Sequence, residues 1–348
     1  MRWQCVCCAL PRRVLEHIAK QSGSEHAARL AADHEVSQHV RAVRHEHKQT
    51  DMQPPPGGSG RRFMYDAQSR MDRLPGRLVR KEGAKASRDH SVNQAYDNVG
   101  ITLDFFRQVF KRKSLDGRDM DVSASVHFGD RWSNAMWNGE QMLFGDGDGE
   151  HILGFTQSLD IVAHELTHAV TQHTIGALGV TFNDGLPALV GESGALNESI
   201  SDVFASMVKQ WHGKVKAEDA DWLLGQGILA PGIGKAVRSL EEPGKKKLTY
   251  GGDNQVSRMK DFRKKADVHR NSGIANHAFF LVATELGGYS WERAGKIWYF
   301  ALPQLKADAG FADAARATLK AASDLFGNDS KEQRAVRKAW KKVGVLRH

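Results

Sequence analysis

The chain has few cysteines and no long hydrophobic run, and both absences limit what it can be. Its three cysteines, Cys5, Cys7 and Cys8, all lie near the start of a 348-residue chain, so no disulfide can staple the main domains. This distribution favours synthesis in a reducing compartment. No apolar stretch approaches the roughly 20 residues that a membrane-spanning helix requires. The sequence therefore predicts no membrane partner.

A secretion signal and a strong charge imbalance are also lacking. The apolar stretch at residues 3–10 is very short for the core of a signal peptide, and no small-residue cleavage site follows it. We therefore expect no classical signal peptide and a cytoplasmic precursor that leaves the cell by a non-classical route. The net charge of +8 is moderate, and the lysines and arginines are dispersed. No nucleic-acid-binding motif accompanies them, so no nucleic-acid partner is expected.

The most informative segment is the HELTH stretch that begins at His164 and ends at His168. Histidines four residues apart lie on one face of a helix, so both imidazoles can bind one metal ion. Glu165 lies about 100° around that helix, where it can reach water at the metal without binding the metal. This pattern is typical of zinc peptidases. The alternative is a surface helix with two unrelated histidines, but apolar neighbours such as Ile161 and Leu166 indicate a buried helix.

A catalytic zinc usually has three protein ligands, and a third candidate follows the motif. Glu198 and Asp202 are four residues apart and project from one face of a predicted helix. One carboxylate can bind the metal, while the other accepts the free ring N–H of a ligating histidine. The alternative is an ordinary amphipathic helix with two solvated acids.

HELTH followed by GALNESISD, residues 194–202, resembles the thermolysin-like metallopeptidases. The likeness runs from around residue 90 to near the C-terminus, and a short N-terminal segment is similar to that of the protealysin-like subgroup. The resemblance implies a two-domain α+β gluzincin fold, with a strand-rich N-terminal catalytic domain and a mainly helical C-terminal domain. It also implies that His164, His168 and Glu198 bind zinc. Asn197 would support His168, and Asp202 would be the partner of His164.

The same resemblance assigns the rest of the active site. His269, within Asp267–Ile274, would donate to the oxyanion of the reaction, and Arg238 would bind the substrate carbonyl. Asn134 and the carbonyl of Ala135 would hold the substrate backbone. A lone histidine is more often structural, and Arg238 could be a surface residue. The glycine-bearing insertion that the family places between Asp267 and His269 is missing here.

Hydrophobic periodicity indicates the secondary structure around these residues. It predicts a helix over Val92–Phe110, a strand from Val122 to Phe128 and helical segments at 274–286, 291–302 and 311–326. Asn138-Gly139, between two apolar segments, predicts a hairpin. The glycine-rich stretch 145–150 lacks EF-hand spacing, and we interpret it as a turn.

The N-terminal part of the chain is predicted to be separate from the rest. We divide the chain into a propeptide-like segment and linker (1–55), an α/β domain with the HELTH helix (56–175) and a helical domain (176–348). The Pro/Gly-rich stretch 54–60 predicts an exposed linker. The first residues would form a disordered tail or, as the resemblance implies, an intramolecular inhibitor. Short helices are predicted on Val14, Leu15 and Ile18, and on Val36, Val40 and Val43.

Several positions depart from the family pattern. Ala9-Leu10-Pro11-Arg12 stands in place of paired prolines, and a cysteine thiolate is an alternative zinc-blocking group. Extra residues near 179–190 predict a loop beside the cleft, and Leu189 replaces a tyrosine donor. At the paired-calcium site Asp160 and Asp221 remain, but Lys209 replaces an acid, and Leu223 and Gln226 replace other ligands. We therefore predict one catalytic zinc and no paired calcium.

These observations predict a zinc endopeptidase that is made as a zymogen and acts on peptide or protein substrates. Zinc-activated water would attack the peptide carbonyl, with Glu165 as general base. One alternative is a zinc aminopeptidase, which would need acids to capture a free N-terminus. The other is a catalytically impaired zinc-binding homologue acting as a binding protein, which the loss of the tyrosine at Leu189 favours and the intact Glu165 opposes.

Overall fold

The computed structural model describes residues 9–24, 26–33, 58–183 and 186–347. Within them, a strand-rich N-terminal half is followed by a mainly helical C-terminal half. This arrangement confirms the predicted two-domain α+β fold. The three cysteines and the helix predicted on Val36, Val40 and Val43 lie outside the described residues.

Five strands of the N-terminal half form one mixed sheet. They are β1 (Arg62–Asp66), β2 (Arg77–Lys81), β3 (Val122–Val126), β4 (Ala135–Trp137) and β5 (Met142–Phe144), in the order β2-β1-β3-β5-β4. Strands β1, β3 and β5 pair in parallel, whereas β1–β2 and β4–β5 are antiparallel. Strand β4 is therefore at one edge of the sheet. An edge strand presents backbone N–H and C=O groups to which a further extended segment can bind.

The hairpin predicted at Asn138-Gly139 connects β4 to β5 and is confirmed. Gly139 has a φ of +88°, a conformation that glycine adopts without a steric penalty. The side-chain oxygen of Asn138 accepts hydrogen bonds from the backbone N–H groups of Glu140, at 3.1 Å, and Gln141, at 2.9 Å. This local hydrogen bonding fixes the turn and therefore the register of the edge strand.

Two long helices pack in the N-terminal half. Helix α2 (His90–Phe110) is the helix predicted from Val92 to Phe110, and the Asp89 carboxylate caps it by accepting from Val92 N–H at 3.1 Å. Helix α3 (Leu159–Thr174) carries HELTH and is buried through most of its length, as predicted. Ser158 precedes α3, and its hydroxyl donates to Asp160 rather than capping the helix backbone.

Five α-helices make up most of the part of the C-terminal half that the structure describes. They are α4 (Gly191–Gly213), α5 (Val268–Leu286), α6 (Ala294–Ala301), α7 (Phe311–Phe326) and α8 (Lys331–Lys342). Each of the three predicted C-terminal segments contains a helix. Helix α8 was not predicted, because its buried face consists of only a few side chains, Ala335, Val336, Ala339 and Trp340 among them, within a lysine- and arginine-rich sequence.

The prediction of a loop near residues 179–190 is wrong, because most of the described residues in this stretch form two antiparallel strands. Strand β6 (Val180–Asn183) pairs with β7 (Leu186–Leu189). The sequence contains the reason, since Asp184-Gly185 between two strand-prone runs is a hairpin signal. A second short pair, β8 (Leu223–Leu224) with β9 (Arg238–Ser239), brings Arg238 to the buried side of α4.

A continuous hydrophobic core joins the two halves and positions α3 against α4. Phe106 of α2 stacks on Phe204 of α4 with ring centroids 5.6 Å apart, and Phe110 stacks on Tyr299 of α6 at 4.2 Å. Helix α1 (Arg12–Ala19) packs on this core through Val14, Leu15 and Ile18 and confirms the predicted N-terminal helix. Among the described helices, none combines the length and apolar character needed to cross a bilayer.

Candidate active site

Helices α3 and α4 bring three metal-ligating side chains to one buried point. His164 and His168 lie one turn apart on α3, and their Nε2 atoms are 3.1 Å apart. Glu198 of α4 places Oε2 3.3 Å from His164 Nε2 and Oε1 3.8 Å from His168 Nε2. All three side chains are fully buried. The residues predicted from sequence as zinc ligands are therefore in mutual contact.

The spacing of these donor atoms fits a tetrahedral metal site. Zinc bonds of about 2.0–2.1 Å at tetrahedral angles place neighbouring ligand atoms about 3.3 Å apart. The two imidazole nitrogens are 3.1 Å apart, and the two oxygens of the Glu198 carboxylate lie 3.3 and 3.8 Å from them, which is close to that value. Two imidazoles and one carboxylate are also ligand types that zinc prefers. The cluster is therefore compatible with metal binding.

The other ring nitrogen of each histidine contacts a residue that holds it in place. His164 Nδ1 lies 2.9 Å from Asp202 Oδ1. His168 Nδ1 lies 3.0 Å from Asn197 Oδ1, which accepts a hydrogen bond from it. Protonation at Nδ1 leaves the lone pair at Nε2, the atom that faces the cluster. Asp202 therefore contacts His164, and Asn197 contacts His168, each at the ring nitrogen that faces away from the cluster.

Two further supporting residues were missed by the sequence analysis. Ser201 Oγ lies 3.1 Å from His168 Nδ1, and Asn276 Nδ2 donates to Asp202 Oδ2 at 2.8 Å. The positions of both residues could have been predicted from helical spacing. Ser201 is four residues after Asn197 on α4, and Asn276 is seven residues after His269 on α5, so each shares a face with a predicted site residue.

Glu165 lies between the cluster and the edge strand β4. Its Oε2 accepts a hydrogen bond from the backbone N–H of Trp137 at 2.8 Å. Its Oε1 is buried and accepts no hydrogen bond from any described residue. Burial raises the pKa of the Glu165 carboxyl to about 8. One carboxylate oxygen is thus fixed by the protein, while the other is available to take up a proton.

The pKa shifts of His168 and Glu198 favour the protonation states in which these side chains bind a metal. Burial lowers the pKa of His168 to about 4. Burial opposes ionisation of Glu198, but the adjacent His269 and His168 outweigh it and hold the Glu198 pKa well below its ordinary value. For His164, burial is likewise opposed by hydrogen bonds to Asp202 and Glu198, which raise its pKa to about 9. A neutral imidazole and an ionised carboxylate are the forms that bind a metal.

His269 reaches the cluster from the N-terminus of α5. Its Nε2 lies 3.1 Å from Glu198 Oε2, and its Nδ1 lies 2.9 Å from Asp267 Oδ1. Asp267 also caps α5 by accepting from the His269 backbone N–H at 2.8 Å. Burial acts to lower the pKa of His269, but the two carboxylates outweigh it and raise the pKa well above the ordinary value. Asp267 therefore contacts His269 through its position at the start of α5, although the glycine-bearing insertion expected between the two residues is missing.

Arg238 is buried rather than exposed, with 1% of its side chain accessible. Its Nε and Nη2 lie 3.0 and 2.9 Å from Asp202 Oδ1, and its Nη1 donates to the carbonyl of Ala9 at 3.2 Å. Arg238 therefore connects the residue that supports His164 to the N-terminal segment.

Residues 9 and 10 lie along the edge strand β4. Ala9 N–H donates to the carbonyl of Ala135 at 3.0 Å. Leu10 N–H donates to Asn134 Oδ1 at 3.0 Å, and Asn134 Nδ2 donates back to the Leu10 carbonyl at 3.4 Å. Ala9 is fully buried and Leu10 nearly so. The three predicted substrate-binding residues, Asn134, Ala135 and Arg238, thus all contact the chain's own N-terminal segment.

A buried His₂Glu cluster beside a second glutamate defines a metallopeptidase-type site. Comparisons with known proteins agree. Residues 36–172 match the model of the thermolysin metallopeptidase catalytic domain, and residues 188–345 match that of its alpha-helical domain. The chain therefore belongs to the thermolysin family of metallopeptidases, which are zinc-dependent endopeptidases.

Three similar proteins cover most of the chain. An extracellular metalloprotease of Pectobacterium carotovorum subsp. carotovorum is 40% identical and covers 99% of this chain and 98% of its own length. Protease PrtS of Photorhabdus sp. (strain Az29) is 43% identical over 82% of this chain and 76% of that protein. The solved precursor of protealysin, a metalloproteinase from Serratia proteamaculans, is 42% identical with a TM-score of 0.81, covering 98% of this chain and 100% of that chain.

These comparisons correct one expectation. The sequence predicted a cytoplasmic precursor, but a relative that matches nearly the whole chain is named an extracellular metalloprotease. The short apolar stretch at residues 3–10, from which the expectation came, therefore did not indicate where the protein acts. The relatives are named as proteases, so neither the aminopeptidase nor the non-enzymatic alternative is favoured.

Proposed function

We propose that His164, His168 and Glu198 bind the single catalytic zinc of this endopeptidase and that Glu165 is its general base. The observation that carries the proposal is the convergence of three buried donor atoms beside a glutamate that is itself held by the edge strand. When bound, zinc supplies a Lewis acid that lowers the pKa of water and polarises a carbonyl.

The chain's own residues would move the protons of the reaction. Glu165 Oε1 takes the proton of the attacking water and passes it to the leaving nitrogen, while Trp137 N–H holds the other carboxylate oxygen in place. His269 Nε2–H donates to the carbonyl oxygen as negative charge develops there. Asp267 keeps the His269 ring oriented, since it contacts the opposite ring nitrogen.

Backbone pairing along β4 would hold the substrate. The carbonyl of Ala135 and the side-chain amide of Asn134 bond to the backbone of residues 9 and 10, and any extended peptide offers the same groups. Arg238 would bind a substrate carbonyl as it binds that of Ala9. Recognition of this kind requires no free terminus and therefore suits internal peptide bonds.

Metal removal tests this function on a peptide blocked at both ends. We expect a zinc chelator to abolish cleavage of casein and of the blocked peptide, and buffered Zn²⁺ to restore both, because without the ion nothing activates the attacking water or polarises the carbonyl. Liquid chromatography of the products measures the rates. Cleavage restricted to peptides with a free N-terminus would favour the aminopeptidase instead.

We further propose that the N-terminal segment inhibits the enzyme as a propeptide, with domain boundaries near residues 55 and 175. The support is that residues 9 and 10 use the backbone and side-chain contacts assigned to substrate. Zinc blockage by a cysteine thiolate involves Cys5, Cys7 or Cys8, which lie outside the described residues. The precursor of protealysin is similar over the full length, which is consistent with a zymogen.

Leu10→Ala is expected to speed removal of this segment by at least tenfold. Leu10 is buried, and deleting a buried leucine side chain costs about 2–5 kcal/mol. The segment would therefore leave the cleft more often and release the active site. N-terminal sequencing during autolysis should find a new terminus at residues 45–65. Glu16→Ala, on the exposed face of α1, is the matched control. Equal rates for the two variants would contradict the inhibitory role.

We also propose that the family's paired-calcium site is replaced by a lysine. Lys209 Nζ lies 3.0 Å from both Asp221 Oδ1 and the Leu223 carbonyl, and 3.9 Å from Asp160 Oδ2. The ammonium group thus occupies the space between the remaining acids and would repel Ca²⁺. Millimolar Ca²⁺ should change the Tm by less than about 1 °C. A larger increase in a calorimetric melt would show that calcium still binds.

A further inference from the structure

A second cluster of potential metal ligands lies where the N-terminal segment meets the catalytic domain. His26, in helical residues 26–33, faces Asp148 and His151 of the loop that follows β5. His26 Nε2 is 3.1 Å from Asp148 Oδ2, and His151 Nδ1 is 3.8 Å from the same oxygen. All three donor atoms lie within 4.8 Å of one another. None of these residues belongs to the active site.

The metal-ligating atoms of this cluster are buried, and their nearest polar neighbours are one another. His26 Nε2, Asp148 Oδ2 and His151 Nδ1 contact each other at 3.1 and 3.8 Å, but none has a partner with hydrogen-bond geometry among the described residues. Asp148 as a whole is 0% exposed. Buried polar atoms are rarely left unsatisfied, and a carboxylate left so is costly. Three such atoms facing one another indicate that an ion bound between them would satisfy all three.

The surrounding backbone holds Asp148 in a ligand orientation. Its Oδ1 accepts hydrogen bonds from the backbone N–H groups of Glu150, His151 and Ile152 at 2.8, 2.7 and 2.8 Å. This arrangement directs Oδ2 towards the two histidines. Gly147 makes the loop possible, because it has a φ of +71° and a Cβ there would lie 2.3 Å from the Ile152 carbonyl.

His151 is also oriented by a second contact. Its Nε2 lies 3.5 Å from Ser22 Oγ, so Nδ1 is the nitrogen that faces Asp148. A contact at the far ring nitrogen is typical of histidines that bind metals. The separations of 3.1 and 3.8 Å are likewise close to the spacing of about 3.3 Å expected around tetrahedral zinc.

We propose that His26, Asp148 and His151 bind a second divalent transition-metal ion of the zinc class, which ties the N-terminal segment to the catalytic domain. The segment supplies His26, and the catalytic domain supplies the other two ligands. The bound ion therefore acts as a latch that is complete only while the segment is docked. The glycine-rich loop interpreted as a turn from sequence thus contributes to a site that forms only in the folded chain.

Zinc counting on the full-length chain tests the site. The Glu165→Gln variant prevents autolysis, so the N-terminal segment stays attached throughout. After equilibration with buffered Zn²⁺ and gel filtration, mass spectrometry of the metal should give two zinc ions per chain. His26→Asn and Asp148→Asn in this background should each give one. His212→Asn, an exposed histidine, should keep two. Thermal melts in zinc-free buffer check that each variant is folded.

The count separates this site from the catalytic one. His164→Asn in the same background should also lose one ion. A parent count of one that vanishes in His164→Asn but is unchanged in His26→Asn would overturn the second site and leave the proposed function intact. A count of one that vanishes only in His26→Asn would support the second site and contradict the catalytic one. Two ions in both His26→Asn and Asp148→Asn would show that these residues bind none.

The latch has its own readout, which rests on the proposed inhibitory role of the segment. In the active chain, His26→Asn should lose its N-terminal segment several-fold faster than His212→Asn, at equal buffered Zn²⁺. Electrophoresis with N-terminal sequencing follows the loss. Equal rates would overturn the latch, because the ion would then not hold the segment in place.

Discussion

Glu165→Gln is expected to lower kcat for peptide hydrolysis by roughly 10²–10⁴-fold, the range over which a positioned general base contributes. Glutamine has the same shape and still accepts the hydrogen bond that Trp137 N–H gives to Glu165 at 2.8 Å. It cannot take up a proton at the position of Oε1. The fold and the zinc content should therefore be unchanged, and steady-state kinetics on a blocked peptide measures the loss.

A matched control for this variant is Glu241→Gln, which makes the same chemical change at an exposed glutamate. It should retain full activity. Both proteins should show the same Tm and the same zinc content, since Glu165 is proposed to act on water and not to bind the metal. Activity of Glu165→Gln within threefold of the unmodified chain would contradict the assignment of Glu165 as the general base.

His269→Ala is expected to lower kcat by about 10²–10³-fold with little change in KM. The reason is that a donor aimed at the developing oxyanion acts in the transition state and adds little to substrate binding. Asp267→Asn should produce a smaller loss, because it weakens the contact at His269 Nδ1 without removing the donor. Initial-rate kinetics over a range of substrate concentrations separates kcat from KM.

A second role for His269 has to be distinguished, since its Nε2 also lies 3.1 Å from Glu198. If the histidine mainly supported that ligand, His269→Ala would lose zinc along with activity. We expect full zinc content instead. His277→Ala, a half-buried histidine on the same helix, is the control for effects on α5. A zinc content that falls in proportion to activity would contradict the role as an oxyanion donor.

Local sequence patterns predicted the helices of the site and the hairpin beside it. The choice of Glu198 over Asp202 as zinc ligand came from the family resemblance, whereas the pairing of His164 with His168 and of Glu198 with Asp202 on one helical face followed from helix geometry. Asn138-Gly139 fixed the hairpin for a similarly local reason. Each prediction needed only the conformation of neighbouring residues.

Contacts that depend on backbone groups could not be read in this way. The hydrogen bond from Trp137 N–H to Glu165 and the pairing of Ala9 with Ala135 involve main-chain atoms, which every residue type has. Strands β1 and β2 have five residues each and contain several charged side chains, so they show no hydrophobic periodicity from which they could be predicted. In the second cluster, His26 is more than 100 positions away from Asp148 and His151 in the sequence, so no local pattern connects them.

The most direct test of the central claim is a crystal structure of the Glu165→Gln chain with anomalous data collected on both sides of the zinc absorption edge. We expect an anomalous peak about 2.0–2.2 Å from His164 Nε2, His168 Nε2 and a Glu198 carboxylate oxygen. A zinc-replete crystal with no peak among these three side chains, or with Glu198 turned away from the two histidines, would contradict it.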